Sequence, residues 1–217
     1  AALRSFKAYC LPDRDKMRFL ILGPTAEYFP HSSLGYMFTE ARKAFGTIKS
    51  ATYFTPDGLA AASLIADVQA ALAEGEPVLL LGTSLALLEL TNVMRDQNLS
   101  VKLPPGSRVL DTGGYKGSVV EISRSAFIES LCERFGLPLD FIINEYGMTE
   151  LSSQFYESRL SGAPLADERP SIKFAPPWTR VVAVDPATLD ILPDGEAGML
   201  RIFDLANVDS VLVIQTE

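Results

Sequence analysis

Short apolar runs alternate with longer amphipathic stretches through the first two thirds of the chain. Four of the apolar runs end at a glycine and show no period-two alternation, which is typical of β-strands buried on both faces. They are RFLILG (18–23), PVLLLG (77–82), SRVLDTGG (107–114) and DFIINEYG (140–147). The pattern therefore predicts four buried strands separated by other elements.

The stretches around these strands carry a helical period. Apolar residues recur every three to four positions over 125–135, where Ser125 is the predicted N-cap. A second helix is predicted within 57–75, with Asp57 as its N-cap. Further helices are predicted over 1–10, 34–44 and 84–95. We also expect helical character in the segment that follows the last of the four strands.

Alternating strands and helices predict an α/β fold with a mostly parallel sheet flanked by helices on both faces. The pattern changes from residue 162 onward, where strand-like runs are separated by Asp-Pro and Asp-Gly turns. We therefore predict an α/β core over residues 1–165. Residues 166–217 are expected to begin a partial antiparallel β subdomain.

Composition excludes several classes of function. The formal net charge of −8 and the pI near 4.8 argue against a nucleic-acid partner. No apolar run reaches the roughly 18 residues that a membrane span requires, and no secretory leader is recognised at the start. Cys10 and Cys132 lie far apart and outside any CxxC pattern, so we expect a reducing, cytoplasmic environment.

Two strand ends carry residues suited to ligand binding, and ligands of α/β sheets lie beyond the carboxyl ends of the strands. In DTGGYKG, Gly113 and Gly114 allow close backbone approach beside Tyr115, although a tight connecting turn needs the same glycines. NEYGMTE (144–150) has two nearly equal interpretations. It is either a ligand-binding turn or a structural turn in which Thr149 caps a following helix.

Four motifs in order resemble those of the acyl-protein synthetase (LuxE-type) family within the adenylate-forming superfamily. They are PHSSLGYMF, VLDTGGYKG, INEYGMTE and the final VLVIQTE. The third contains the superfamily's Tyr-Gly-x-Thr-Glu signature. The resemblance extends over residues 18–217, nearly the whole chain.

The resemblance implies that ATP and a carboxylic acid, here a fatty acid, form an acyl-adenylate whose acyl group passes to a thiol. Tyr146 would flank the adenine, Thr149 would hydrogen-bond the α-phosphate, and Glu150 would hold Mg²⁺. His31 would line the pocket of the acyl carboxylate, although a lone histidine before a helix is also a common capping neighbour. The other nucleotide-binding residues would be Gly113, Gly114, Tyr115, Asn144 and Gly147.

The sequence also departs from the superfamily's pattern. No Ser/Thr/Gly-rich phosphate loop precedes residue 18, and neither the ribose-binding Asp after IQTE nor the C-terminal lid is present. We therefore expect a central fragment that folds and does not complete adenylation. The acceptor is open between a protein thiol and coenzyme A, the latter as in phenylacetate-CoA ligases.

A catalytically silent α/β interaction module is the alternative from another class of function. A geometric observation separates it from the ligase. In a ligase, Thr149 and Glu150 should face the same cleft as Gly113 and Gly114.

Overall fold

A computed structural model describes residues 1–114, 122–157, 160 and 172–216 of the chain. Its helices are α1 (Ala2–Cys10), α2 (Ser33–Phe45), α3 (Ala61–Glu74), α4 (Ser84–Asp96) and α5 (Arg124–Phe135). The strands of the first two thirds are β1 (Arg18–Leu22), β2 (Ala51–Thr52), β3 (Phe54–Thr55), β4 (Gly58–Leu59), β5 (Val78–Thr83), β6 (Arg108–Thr112), β7 (Ile142–Tyr146) and β8 (Phe155–Glu157). The last third holds β9 (Thr179–Val184), β10 (Met199–Asp204) and β11 (Val213–Gln215).

The main sheet has the strand order β2-β1-β5-β6-β7-β8. Its first five strands run parallel, and β8 pairs antiparallel with β7 at the edge. Strands β9, β10 and β11 form a separate antiparallel sheet. The predicted α/β class, with a mostly parallel sheet followed by antiparallel strands, is confirmed.

Helices cover the main sheet on both faces, because the central strands are apolar at successive positions. One face packs against α3, α4 and α5 around Leu20, Leu80 and Val109. The other packs against α1 and α2 through Phe19 and Leu81 and their neighbours. Side chains that alternate along β6 and β7 therefore reach two different helical layers.

Two predicted helix starts were wrong. Helix α5 is capped by Ser123, whose Oγ accepts a hydrogen bond from the backbone N–H of Ala126 at 3.2 Å, and Ser125 lies inside the first turn. Asp57 lies in the turn between β3 and β4, so α3 begins later, after Ala60. In both cases the predicted residue has a side chain suited to capping and lies within three residues of the N-cap, but it is not the N-cap itself.

The segment after β7 is not helical, which corrects the expectation for this region. Residues 149–150 form a turn, and the chain then returns as β8, in register with β7 through Tyr146 and Phe155. The open edge of β7 offers backbone hydrogen bonds that outweigh the helical character expected of this segment. The alternative in which Thr149 caps a following helix therefore does not hold.

The predicted boundary near residue 165 lies outside the described residues, so the division into 1–165 and 166–217 stays a prediction. Within the described part of the chain, no helix combines the length and the apolar character needed to cross a bilayer.

Candidate active site

A cleft of about 810 Å³ opens where β6 and β7 end, on the face covered by α1 and α2. Its walls come from the start of the chain, the first turns of α2, the end of β6, and the turn after β7. The described lining residues are Ala1, Ala2, Leu3, Arg4, Ser33, Leu34, Tyr36, Met37, Glu40, Thr112, Gly113, Glu145, Gly147, Met148, Thr149, Leu151, Ser152 and Gln154. The cleft thus combines hydroxyl, glycine and apolar surfaces.

Two glycines in the cleft lining leave backbone uncovered by a side chain. Gly113 has φ +80°, a left-handed conformation that favours glycine, and a Cβ built there would meet no atom within 4 Å. A Cβ on Gly147 would approach Glu145 Oε1 to 2.5 Å, so a larger residue there would displace this side chain. Both positions therefore leave backbone available to a ligand.

The turn after β7 contacts the start of α2. Thr149 Oγ1 lies 3.2 Å from Ser33 Oγ, although the two residues are 116 positions apart. Ser32 caps α2 by accepting the N–H of Gly35 at 3.0 Å, which leaves the next hydroxyl, on Ser33, to line the cleft. The His-Ser-Ser motif and the Thr-Glu motif thus meet at the cleft through Ser33 and Thr149.

A buried carboxyl forms part of the cleft lining, and sequence reasoning did not select it. Glu145 is only 4% exposed, and Thr112 donates a hydrogen bond to its Oε2. Burial raises the pKa of Glu145 to about 7, although the Thr112 hydrogen bond and the charge of Lys173 oppose this shift. An acidic residue inside a buried strand that is otherwise uncharged was the available signal.

Asn144 points to the opposite face of the sheet from Glu145. Its Nδ2 donates to Asp111 Oδ2 at 2.7 Å, and Lys173 donates to its Oδ1. The fully buried Asp111 also accepts hydrogen bonds from Ser84 and Arg124. In this structure Asn144 belongs to a buried polar network beneath the strand ends, and its proposed nucleotide contact stays a prediction.

The site residues predicted from the sequence divide into three groups. Gly113, Gly147 and Thr149 line the same cleft. The described cleft lining does not include His31 and Glu150, which are both exposed, nor Gly114, Asn144 and the half-buried Tyr146. Tyr115 lies outside the described residues. Thr149 and Gly113 therefore face the same cleft, as the ligase requires. Glu150 and Gly114 do not line it in the described part of the chain.

The cleft fits a ligand of nucleotide size, since small-molecule sites usually enclose about 300–1,000 Å³. Arg4 is the one basic residue in the described lining, which also contains the acidic residues Glu40 and Glu145. A triphosphate in this cleft would thus need a cation to balance its charge. Among the described residues no three His, Cys, Asp or Glu side chains cluster as a metal site. Mg²⁺ held by one carboxylate and by phosphate oxygens needs no such cluster.

Comparison with solved structures defines the class of fold. Over 93% of this chain and 34% of the other, it matches ATP-bound MatB from Rhodopseudomonas palustris with a TM-score of 0.57 and 15% identity. A long-chain-fatty-acid-CoA ligase from Archaeoglobus fulgidus gives a TM-score of 0.53 at 13% identity, over 94% of this chain and 37% of that one. The chain therefore has the fold found in part of these two proteins.

The sequence comparison then defines the family. The profile of the family "Acyl-protein synthetase, LuxE" matches residues 44–212, so the chain belongs to this family. It is 25% identical over 142 residues to the long-chain-fatty-acid–luciferin-component ligase of Aliivibrio fischeri, covering 64% of this chain and 35% of that protein. The corresponding ligase of Vibrio harveyi is 26% identical over 145 residues, covering 66% and 36%. The chain spans about a third of the length of these curated relatives.

Proposed function

We propose that the chain carries the acid-activating site of an ATP-dependent acid–thiol ligase. In the full-length protein, a carboxylate oxygen of a fatty acid bonds to the α-phosphorus of ATP as the bond to pyrophosphate breaks. A thiol then attacks the acyl carbon of the resulting acyl-adenylate, and AMP leaves. The observation that carries this proposal is that Gly113, Gly147 and Thr149 meet in one cleft of a chain from the acyl-protein synthetase family.

Residues of three segments near the cleft have proposed roles in nucleotide binding: the start of α2, the end of β6, and β7 with the turn after it. Thr149 lines the cleft and donates a hydrogen bond from its hydroxyl to the α-phosphate, while the hydroxyl of Ser33 contacts it from the first turn of α2. The backbone at Gly113 and Gly114 lies against the adenine, which Tyr146 flanks. Preorganised donors of this kind stabilise the charge that develops at a reacting phosphoryl centre.

Glu150 is the proposed ligand of Mg²⁺. Its side chain is exposed and directly follows the cleft-lining Thr149 in the chain, and a hard cation prefers carboxylate oxygen. Bound there, Mg²⁺ would neutralise part of the phosphate charge during attack. The single basic residue in the described lining supports this need for a cation.

Pyrophosphate release by the full-length protein tests the proposal. The assay combines ATP and Mg²⁺ with a panel of fatty and aromatic acids. We expect acid-dependent release that falls about 100-fold in Glu150→Ala and about 10-fold in Thr149→Ala, with Thr149→Ser close to wild type. Glu89→Ala, at an exposed position of α4, is the control for loss of a carboxylate and should leave the rate unchanged.

The acyl acceptor is tested in the same reaction. A labelled fatty acid that becomes attached to protein through a hydroxylamine-sensitive bond indicates a protein thiol. Formation of acyl-CoA indicates the phenylacetate-CoA ligase type. Absence of pyrophosphate release from a well-folded full-length protein, with every acid of the panel, would contradict the ligase and favour an interaction module.

A further inference from the structure

The turn that carries Thr149 and Glu150 is held largely by the antiparallel sheet of the last third of the chain. Within the turn, the backbone N–H of Leu151 donates to Met148 O at 3.1 Å. The main anchoring contacts come from β10 and from the short 3₁₀ helix that follows it, Leu205–Asn207. The position of the turn therefore depends on residues more than 50 positions further along the chain.

Asp204, the last residue of β10, is fully buried against this turn. Its Oδ2 accepts the backbone N–H of Ser152 at 3.0 Å, and its Oδ1 accepts the hydroxyl of Ser153 at 2.8 Å. The backbone N–H of Ala206 also donates to Oδ1, at 3.0 Å. A carboxylate that accepts several N–H and O–H donors forms strong, charge-assisted bonds, so it fixes the geometry of its donors.

Asn207 holds the adjacent part of the turn. Its Nδ2 donates to the backbone oxygen of Glu150 at 2.7 Å and to that of Val211 at 3.0 Å. Its Oδ1 accepts the hydroxyl of Ser152 at 2.9 Å. One amide side chain thus bonds directly to the backbone of the proposed Mg²⁺ ligand.

Apolar packing reinforces these polar contacts. Ile202 of β10 is 1% exposed and packs with Leu151 and Phe155, which flank the turn on its C-terminal side. Trp178 Nε1 donates to Ser153 Oγ at 2.8 Å, which adds a contact from the residue just before β9. Residues at the end of β10 and just before β9 therefore both hold the segment around Ser152 and Ser153.

We propose that Asp204 and Asn207 are positioning residues that hold the Thr149–Glu150 turn in its reactive place. This inference rests on the proposed function, because the turn matters for catalysis only if Glu150 and Thr149 act on the nucleotide. Neither residue lines the cleft in the described part of the chain, so both act through the turn and not on the ligand. A displacement of about 1 Å at a reacting centre lowers rates by about 100-fold, which makes such support consequential.

The test compares Asp204→Asn, Asn207→Ala and Asn207→Asp in the full-length protein. Asn207→Asp keeps the size and the acceptor for Ser152 but loses both Nδ2 donors, and we expect it to behave like Asn207→Ala. Asp209→Asn is the matched control, since Asp209 is exposed a few residues further on.

Hydrogen exchange at the Ser152 amide reports on the turn independently of activity. We expect at least a 10-fold faster exchange in Asp204→Asn, with the amides of β5 and β6 unchanged and the Asp209→Asn control equal to wild type. Equal exchange of Ser152 in Asp204→Asn and wild type would overturn the anchoring.

Kinetics then report on positioning. We expect kcat for pyrophosphate release to fall about 10-fold in Asn207→Ala, with KM for the acid within about twofold of wild type and a raised Mg²⁺ requirement. In a Glu150→Ala background, Asn207→Ala should cause a smaller further loss than in wild type, because part of its effect acts through Glu150.

Two kinetic outcomes would overturn the proposal. One is an unchanged kcat in Asn207→Ala, and the other is the same fold loss with and without Glu150. If wild type itself releases no pyrophosphate, the proposed function fails and the positioning role fails with it. The exchange measurement then still decides whether Asp204 holds the turn.

Discussion

Glu145 has the most unusual environment among the single residues of the cleft. It lies at the end of a buried strand, beside Thr112 and opposite Tyr156, whose buried hydroxyl has no hydrogen-bond partner among the residues that the structure describes. Burial disfavours the charged form of a carboxyl, and the nearby charge of Asp111 adds to this effect. At neutral pH the cleft therefore contains a carboxyl poised between its two protonation states.

This environment predicts a pH-dependent stability. Between pH 4.5 and about 7 the folded state holds the Glu145 proton more tightly than the unfolded state, so rising pH favours unfolding. Each pKa unit is worth about 1.4 kcal/mol, so Glu145→Gln should be about 3 kcal/mol more stable than wild type at pH 8. At pH 4.5 and below the two proteins should be nearly equal.

Urea denaturation at pH 4.5, 6 and 8 measures this difference. Glu89→Gln, at an exposed position, serves as the control and should follow wild type at every pH. Parallel stability curves for Glu145→Gln and wild type would show that Glu145 does not carry the effect.

At the scale of elements, the ends of helices and strands decide what faces the cleft. The Ser32 cap ends the loop before α2 and leaves Ser33 exposed toward Thr149. The edge pairing of β8 with β7 turns the chain back immediately after Glu150. Local sequence preference located α2 within a few residues but did not find β8. The start of α5 depended on which of the nearby Ser123 and Ser125 adopts the extended cap conformation.

The cap of α5 provides a matched pair for a stability measurement. Ser123→Ala removes the acceptor for the N–H of Ala126, and we expect it to lower the free energy of unfolding by about 1 kcal/mol. Ser125→Ala alters an exposed residue inside the helix and should change stability by less than about 0.5 kcal/mol. Thermal or urea unfolding of both variants distinguishes them, and the opposite order would restore Ser125 as the cap.

At the scale of the whole molecule, a small apolar cluster joins the antiparallel sheet to the main sheet. Ile202 contributes from β10, while Leu151 and Phe155 contribute from the turn after β7 and from β8. Tyr146, Met148 and Ile214 pack around them. The cleft is thus bounded by a turn whose apolar support comes from a different sheet.

Truncation of Ile202 should therefore lower the free energy of unfolding more than truncation of Leu200, which lies on the same face of β10. We expect Ile202→Ala to lower the free energy of unfolding by about 2–4 kcal/mol, because it removes a buried side chain and leaves a cavity. Leu200→Ala should cost about 1 kcal/mol or less, since Leu200 is 37% exposed. Equal losses in urea denaturation would contradict the anchoring role of Ile202.

The sequence alone determined the class of fold and the order of its main elements. Unbroken apolar strands and helical periods are local consequences of burying a parallel sheet on both faces, so they can be read from spacing. It also determined the glycines and the Tyr-Gly-x-Thr-Glu turn at the strand ends. These features are local in the chain and needed no knowledge of its packing.

Only the tertiary structure decided which side chains meet. It brought Ser33 to Thr149 across 116 positions, and Asn207 to Glu150 across 57. It also oriented Glu145 toward the cleft and Asn144 toward the opposite face, and it paired residues 155–157 as a strand in a segment for which helical character was expected. Such contacts depend on how distant elements pack and on which edge offers hydrogen bonds, and neither is encoded in local periodicity.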